Sequence, residues 1–383
     1  MTRSALVVTV VHHPDDARIR HRQIASLLEA GWTVMYAAPF AAYGLTRPVG
    51  VHRLHPVELP RASGRHRLTA LRAARALLSA RAGEHDVVLL HDPELLVVTV
   101  GLDLPTPVVW DVHEDTAAAL EVRPWVPDLL RRPAAWAVRR VERWAEGRMP
   151  LLLADHRYAD RFARVHPVVP NTARVPREPL PAATPGRDGV QRVVYLGSVT
   201  IERGAHEMVR LGAELAARTD GAVAVHVIGP AHGPAQQVLE QGVRDGALTW
   251  HGFVPSDRAL PMLDGALAGL CLLHDEANFR PSMATKVIEY LSHGIPAIST
   301  PLPVPAELLT RSGGGVVVPF RDVPATVAAV LALHEDLAAA RVMGRAGHAV
   351  AAAELDWDVI APQFIAALEQ AVDADQARGR AGS

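Results

Sequence analysis

Ser282-Met-Ala-Thr-Lys286-Val-Ile-Glu289-Tyr290-Leu-Ser-His293-Gly294-Ile-Pro296 reads as a helix held between two strands. Met283, Val287 and Leu291 recur at i, i+4 and i+8 and make one apolar stripe, while Lys286 and Glu289, three apart, project together from another face. Ser282 is the expected N-cap, and Gly294 followed by Pro296 ends the helix. The apolar runs 268–273 before it and 296–300 after it read as strands. A strand, a helix and a strand in succession form a βαβ unit, which places the two strands parallel in one sheet.

The same alternation fills the chain on both sides. Upstream, strands are expected at 192–197, 222–228 and 247–250, with helices at 205–217, 234–242 and 256–264. Downstream, the glycine turn 313–315 leads to a strand at 316–318 and a helical tail. The first half repeats the pattern: strands at 4–11, 33–38, 86–90, 107–111, 151–154 and 166–169, helices at 18–30, 68–81 and 134–147, and a helix or turn at 94–101. Between the halves, Pro170, Pro176, Pro179, Pro181 and Pro185 interrupt all periodicity, as in a linker. The expected fold is α/β, with two doubly wound Rossmann-like domains facing across a cleft: residues 1–170, a linker at 171–189, and residues 190–355. Sheets of this kind bind ligands at the carboxyl ends of their strands.

Composition agrees. A chain of 383 residues with 49 % hydrophobic residues suits two cores of roughly 170–190 residues each. Charged residues at 21 % and a net charge of −2 argue against disorder and general nucleic-acid binding. A single cysteine, Cys271, excludes a disulfide framework and a multi-cysteine metal site. The run 4–11 is interrupted by His12, His13 and Pro14, so it reads as a buried strand rather than a signal-peptide core, and no apolar window is long enough to span a membrane. The expectation is a cytoplasmic protein. Residues 1–170 carry 22 Arg against 18 acidic residues and the remainder 17 basic against 23, so the first half is the basic one.

Chemistry concentrates at the opening helix. A cation at a helix N-terminus with a carboxylate one turn on suits a nucleotide sugar: Lys286 and the helix end meet the diphosphate, and Glu289 accepts from ribose hydroxyls. An exposed i,i+3 ion pair has the same spacing. The chain has 38 Arg and one Lys, and that Lys is Lys286. A sequence that uses Arg everywhere else points to a need for a compact ammonium there.

These residues resemble the donor-site helix of family 4 retaining glycosyltransferases, whose subgroups show Lys-x-x-Glu-Tyr followed by Gly-x-Pro. Val193-Val-Tyr195-Leu-Gly197-Ser198-Val-Thr-Ile-Glu-Arg203-Gly204 resembles the first strand and loop of that family's donor domain, and His251-Gly-Phe253-Val254 the loop that cradles the base. His91-Asp92-Pro93-Glu94, Val109-Trp-Asp111-Val-His113-Glu114-Asp115 and Pro14-Asp-Asp16-Ala-Arg18-Ile19 resemble one subgroup, and the helix 357–372 the one that crosses back to brace the first domain. The resemblance implies the GT-B fold, an acceptor-side first domain, a donor-side second domain and metal-independent transfer with retention of configuration. It has a nucleotide diphosphate sugar, UDP favoured, as co-substrate and no cofactor. It places His113 at the reacting sugar; Gly197, Ser198, Arg203, His251, Phe253, Val254, Lys286 and Glu289 on the donor; and His12, Asp15, Asp16, Arg18, Asp92, Glu94, Glu114 and Asp115 on the acceptor. Two departures stand out: Pro281 occupies the first Glu position of the family's Glu-x7-Glu pattern, with Arg280, Glu276 or Asn278 nearby as substitutes, and Gly197-Ser198 stands where Gly-Arg is frequent.

The acceptor stays open between a lipid-linked sugar and a small molecule. Arg131, Arg132, Arg139 and Arg140 with Trp125, Trp136 and Trp144 fit peripheral contact with an anionic membrane surface, at the inner face of the cell membrane of a bacterium with a GC-rich genome. Two other readings remain. One is a nucleotide-sugar-binding subunit without turnover. The other starts from His13-Pro14-Asp15-Asp16, which resembles the metal-binding start of LmbE-like zinc sugar N-deacetylases, although Ala17 stands where those have Glu.

Overall fold

Each half of the alternating pattern closes into its own six-stranded parallel sheet. The computed structural model describes residues 2–112, 117, 128–186 and 188–381, without the side chains of Asp128, Leu130 and 378–381. Two compact units result, Met1–Asn171 with Ile360–Ser383, and Thr172–Val359.

In the first unit the strands are β1 (Ser4–Val8), β2 (Thr33–Ala38), β3 (Leu54–Glu58), β4 (Val87–Leu90), β5 (Val108–Val112) and β6 (Leu151–Leu153), in the order β3-β2-β1-β4-β5-β6. Every neighbouring pair is parallel. β1, β4 and β6 are apolar and buried almost throughout, as strands covered on both faces must be. Helix α1 (Ala17–Ile24, continuing as Ala25–Glu29) follows β1, α2 (Arg67–Arg81) follows β3, α3 (Pro93–Thr99) follows β4, and α4 (Asp128–Glu146) precedes β6. Leu78 of α2, Leu95 of α3 and Ala145 of α4 join Leu6, Val88, Trp110 and Leu151 in one core.

In the second unit β7 (Gln191–Leu196), β8 (Val223–Ile228), β9 (Leu248–Trp250), β10 (Ala268–Cys271), β11 (Ala297–Ser299) and β12 (Gly315–Val317) are ordered β12-β11-β10-β7-β8-β9. Counted within each unit, both sheets run 3-2-1-4-5-6, the doubly wound order whose switch point lies beside the first strand. Helices α5 (Ala205–Arg218), α6 (Pro234–Arg244), α7 (Thr285–Ser292), α8 (Pro303–Ser312), α9 (Val323–Glu335) and α10 (Leu337–Glu354) cover the sheet. Alternation sorts β7 cleanly. Val193 and Tyr195 join the core that holds Met208 and Leu211 of α5, while Val194 joins the one that holds Val287 and Tyr290 of α7.

Four expectations change. β3 was absent from the sequence reading because Pro56 sits inside it; it is an edge strand, where a missing N–H is tolerated. The expected strand 166–169 is reduced to a single bridge between Leu153 and Val168. The proline-rich stretch 171–189 packs into the second unit from Thr172 onward, with Ala182 and Ala183 fully covered, since small side chains between prolines fit where larger ones would not. The helix at Ser282 starts later, at Thr285, with Ala284 extended before it. The Ser282 hydroxyl donates to the Asn278 carbonyl at 2.9 Å, so it caps a preceding turn and not the helix. At the end of the chain, α11 (Trp357–Ala381) groups with the first unit from Ile360 onward, and there Asp373 and Glu369 reach Arg3 at 3.2 and 3.5 Å.

Candidate active site

At the carboxyl end of β7 the chain turns through Gly197 at φ +115° and reaches α5 through Gly204 at φ +90°. Gly204 is required on two counts: its backbone is left-handed, and a Cβ there would lie 2.8 Å from the Leu272 carbonyl oxygen. The close packing of this loop brings three cation-directing features together. Tyr195 donates its hydroxyl to the Ser198 carbonyl at 2.8 Å, and Arg203 Nη1 donates to the same oxygen at 3.2 Å. Arg203 also lies 5.8 Å from the Phe279 ring.

Lys286, second residue of α7, completes the group. Its Nζ sits 3.7 Å from the centre of the Tyr195 ring, and its tip is the nearest atom group to the open side of Gly197. Part of the Lys286 side chain keeps some surface, but Nζ itself is fully covered and has no hydrogen-bond partner among the described residues. Burial pulls the Lys286 amine from its ordinary 10.5 down to about 7; Cys271 opposes this, Arg203 adds to it, and Glu289 opposes it. A buried ammonium without a partner costs several kcal/mol unless an anion completes it. Glu289 stands one turn further on, half-buried, within electrostatic reach. Tyr290, next to Glu289 but on the inner face, accepts from the Leu196 N–H at 2.9 Å and donates to the Leu270 carbonyl at 3.0 Å. It thereby fixes α7 to both β7 and β10.

The expected base loop follows β9. His251 Nε2 lies 3.1 Å from His226 Nδ1 with the rings stacked, and burial, then Arg192, holds the His251 imidazole below its ordinary range. Phe253 is exposed. Val254 is partly buried and packs against the core that includes Ile228 and Leu263. Of the substitutes for the missing Glu, Arg280 is held by Asp275 through two contacts of 2.7 and 2.8 Å, and the Asn278 carbonyl by Ser282.

The first unit gathers its polar residues at the carboxyl ends of β1, β4 and β5, but several are consumed there. Asp92 is fully buried; it accepts from the Thr9 hydroxyl, the Val10 and Val11 N–H groups and His12 Nδ1 at 2.5 Å, anchoring the loop after β1. Burial works against its ionisation, yet the His12, Val10 and Thr9 hydrogen bonds hold its carboxyl below the ordinary 3.8. Asp16 caps α1 by accepting from the Arg18 and Ile19 N–H groups at 2.9 and 3.0 Å. Arg18 is buried in a two-point pair with Asp111 at 2.8 and 2.7 Å, joined by Gln23 Nε2 at 3.0 Å. Asp92, Asp16 and Arg18 therefore carry structural contacts within this unit where acceptor contacts were expected, although Arg18 Nη1 has no hydrogen-bond partner among the described residues. Asp15 contacts His21 at 2.7 Å and Glu94 lies 3.6 Å from Arg67, both with part of their surface open. His13 packs edge-on to Tyr43, so the His13-Pro14-Asp15-Asp16 run disperses to separate partners instead of converging on one metal. His113, Glu114, Asp115 and Trp125 lie outside the described residues.

The sequence reading missed Tyr195. Its signal was its position two residues before the Gly197 turn, at the end of an alternating strand. It also missed His274, which the carboxyl end of β10 carries to 3.0 Å from Glu207.

Known proteins agree with this architecture. The family described as Glycosyl transferases group 1 matches residues 190–336. No curated protein matches the chain. Among solved structures, sucrose-phosphate synthase from Thermosynechococcus elongatus superposes with a TM-score of 0.73 at 16 % identity, covering 98 % of this chain and 100 % of that one. Anabaena HepE in complex with UDP-glucose gives 0.69 at 14 %, covering 96 % and 99 %. WaaG, a glycosyltransferase involved in lipopolysaccharide biosynthesis, gives 0.67 at 11 %, covering 95 % and 98 %.

Proposed function

We propose that this chain, which has the GT-B fold and carries a group 1 glycosyl transferase domain at residues 190–336, moves a sugar from a nucleoside diphosphate, UDP by preference, to a lipid-linked sugar or small-molecule acceptor. The observation that carries the proposal is Lys286: a covered nitrogen without a hydrogen-bond partner among the described residues, resting on an aromatic ring at the carboxyl end of the sheet beside the Gly197 turn. A diphosphate supplies the anion that this nitrogen lacks. The preference for UDP draws support from HepE, whose complexes contain UDP and UDP-glucose.

In this reading the bond from the anomeric carbon to the diphosphate oxygen breaks as the bond to the acceptor oxygen forms. Negative charge grows on the leaving diphosphate, and Lys286, Arg203 and the N–H groups opening α7 stabilise it. The sugar passes through an oxocarbenium-like state. Attack on the same face gives retention, with the departing phosphate taking the acceptor's proton and no metal required. Glu289 accepts from the ribose hydroxyls, and Phe253 offers its exposed ring to the base. Leu129 and Trp136, 86 % and 62 % exposed on α4 beside Arg132, Arg140 and Arg143, fit a lipid-linked acceptor at an anionic surface. The enzyme works in the cytoplasm, where nucleotide sugars are made.

Binding without turnover is the second reading, favoured by Pro281 at the Glu position and by the engagement of Arg280 with Asp275. Thermal shift against UDP, GDP, ADP and their sugar conjugates, paired with an assay of donor hydrolysis, tests both. Transfer predicts a nucleotide-specific shift and slow hydrolysis. A shift alone supports the binding subunit, and the absence of any shift rejects the donor site.

A further inference from the structure

Tyr195 is fully buried at the penultimate position of β7, and burial pushes its phenol up. A tyrosine in such a place needs a partner for its hydroxyl, and it has one in Ser198. The choice of partner matters more than the satisfaction. The Ser198 carbonyl also receives Arg203, so the hydroxyl and the guanidinium meet on one oxygen. The face of the same ring lies under Lys286 Nζ. Lys286 comes from α7, packed on the side of the sheet opposite to the Tyr195 core, and meets the ring only at the strand end. Arg203 comes from the loop before α5. One side chain thus touches, directly or through one carbonyl, both cations of the proposed phosphate site.

We propose that Tyr195 is a positioning residue for the donor diphosphate: its ring holds the Lys286 ammonium and its hydroxyl fixes the Ser198 carbonyl on which Arg203 rests, so it sets the spacing of the two cations before a nucleotide binds. The proposal rests on the donor-site reading given above. Pre-set cations spare the ordering cost that free side chains incur on binding. The groups facing Lys286 Nζ are Tyr195 from β7, Cys271 from β10, Arg203 from the loop and Glu289 from α7. Among the described residues, Tyr195 is the one that contacts the cation through a ring face, which supports it without neutralising it.

The test is a double-mutant cycle on UDP affinity by calorimetry, with GDP or ADP in its place should the protein prefer either. Tyr195→Leu in the natural background weakens binding about tenfold, the loss of ring support and carbonyl anchor together. In the Lys286→Met background the same substitution costs less than about threefold, because most of the effect passes through the ammonium. Tyr195→Phe keeps the ring and stays within about threefold of the natural protein. Thermal unfolding of each variant confirms a folded state, and Tyr195→Met replaces the leucine variant if that one does not fold. An equal loss in both backgrounds overturns the proposal, since a packing role adds independently of Lys286. A natural protein that binds none of the three nucleotides removes the donor-site reading and the proposal with it, a result separable from additivity in a protein that does bind.

Discussion

Replacing Lys286 with methionine should raise the stability of the nucleotide-free protein and lower its affinity for nucleotide, two effects of opposite sign from one substitution. The stability part follows from linkage. The Lys286 amine falls from 10.5 to about 7 on folding, with burial as the main cause. Between those values the unfolded chain binds a proton that the folded chain does not, so stability rises with pH from about 7 to about 10.5 and is lowest, and flat, below 7. At about 1.36 kcal/mol per pH unit, the folded state carries a burden of about 4 kcal/mol at pH 7, falling to about 1 kcal/mol at pH 9.5. Methionine keeps the apolar stem and discards the charge, so Lys286→Met should be more stable by up to about 4 kcal/mol at pH 7, and the advantage should shrink at pH 9.5. The affinity part follows from the lost charge-assisted contact, about 1.5–3 kcal/mol, or about 10–150-fold in Kd. Denaturant unfolding at the two pH values, with and without saturating UDP, measures both. A methionine variant that is less stable at pH 7, or that binds UDP as tightly as the natural protein, refutes the reasoning.

Further outcomes can be checked separately. Above pH 7 the Lys286 amine is mostly neutral without nucleotide, so UDP binding should take up a proton; calorimetry in buffers of different ionisation enthalpy should show it, with affinity falling as pH rises and up to about tenfold per unit. Gly204→Ala, which would press a Cβ to 2.8 Å from the Leu272 carbonyl at a left-handed φ, should cost about 2–3 kcal/mol in chemical denaturation and leave a protein that binds UDP poorly. Asp92→Asn should cost about 2–4 kcal/mol at pH 7. Because folding lowers the Asp92 pKa, its contribution is present above the ordinary carboxylate range and is lost as pH falls through the folded value, so the gap between variant and natural protein should narrow in acid. Trp136→Ser with Arg140→Ser should reduce co-sedimentation with vesicles containing phosphatidylglycerol; equal sedimentation of variant and natural protein would exclude that face.

The sequence by itself determined the doubly wound architecture of both units and the helix that bears Lys286 and Glu289. Those features are local: an apolar period of two or of 3.6, a glycine stop, and a lone lysine among arginines are all written within a dozen residues. Tertiary structure decided which polar groups remain for chemistry. Asp16, Arg18 and Asp92 look free in a linear reading, yet a helix end, Asp111 and the loop after β1 claim them once distant segments meet. Ser282 had the right spacing for a cap and lost that role to the Asn278 turn, and Pro56 hid an edge strand that only pairing with β2 reveals. Tyr195 became visible only when α7 delivered an ammonium to its ring. Burial and partnership are properties of the assembled sheet, because the cost of an unpaired charge depends on what every other part of the chain places around it.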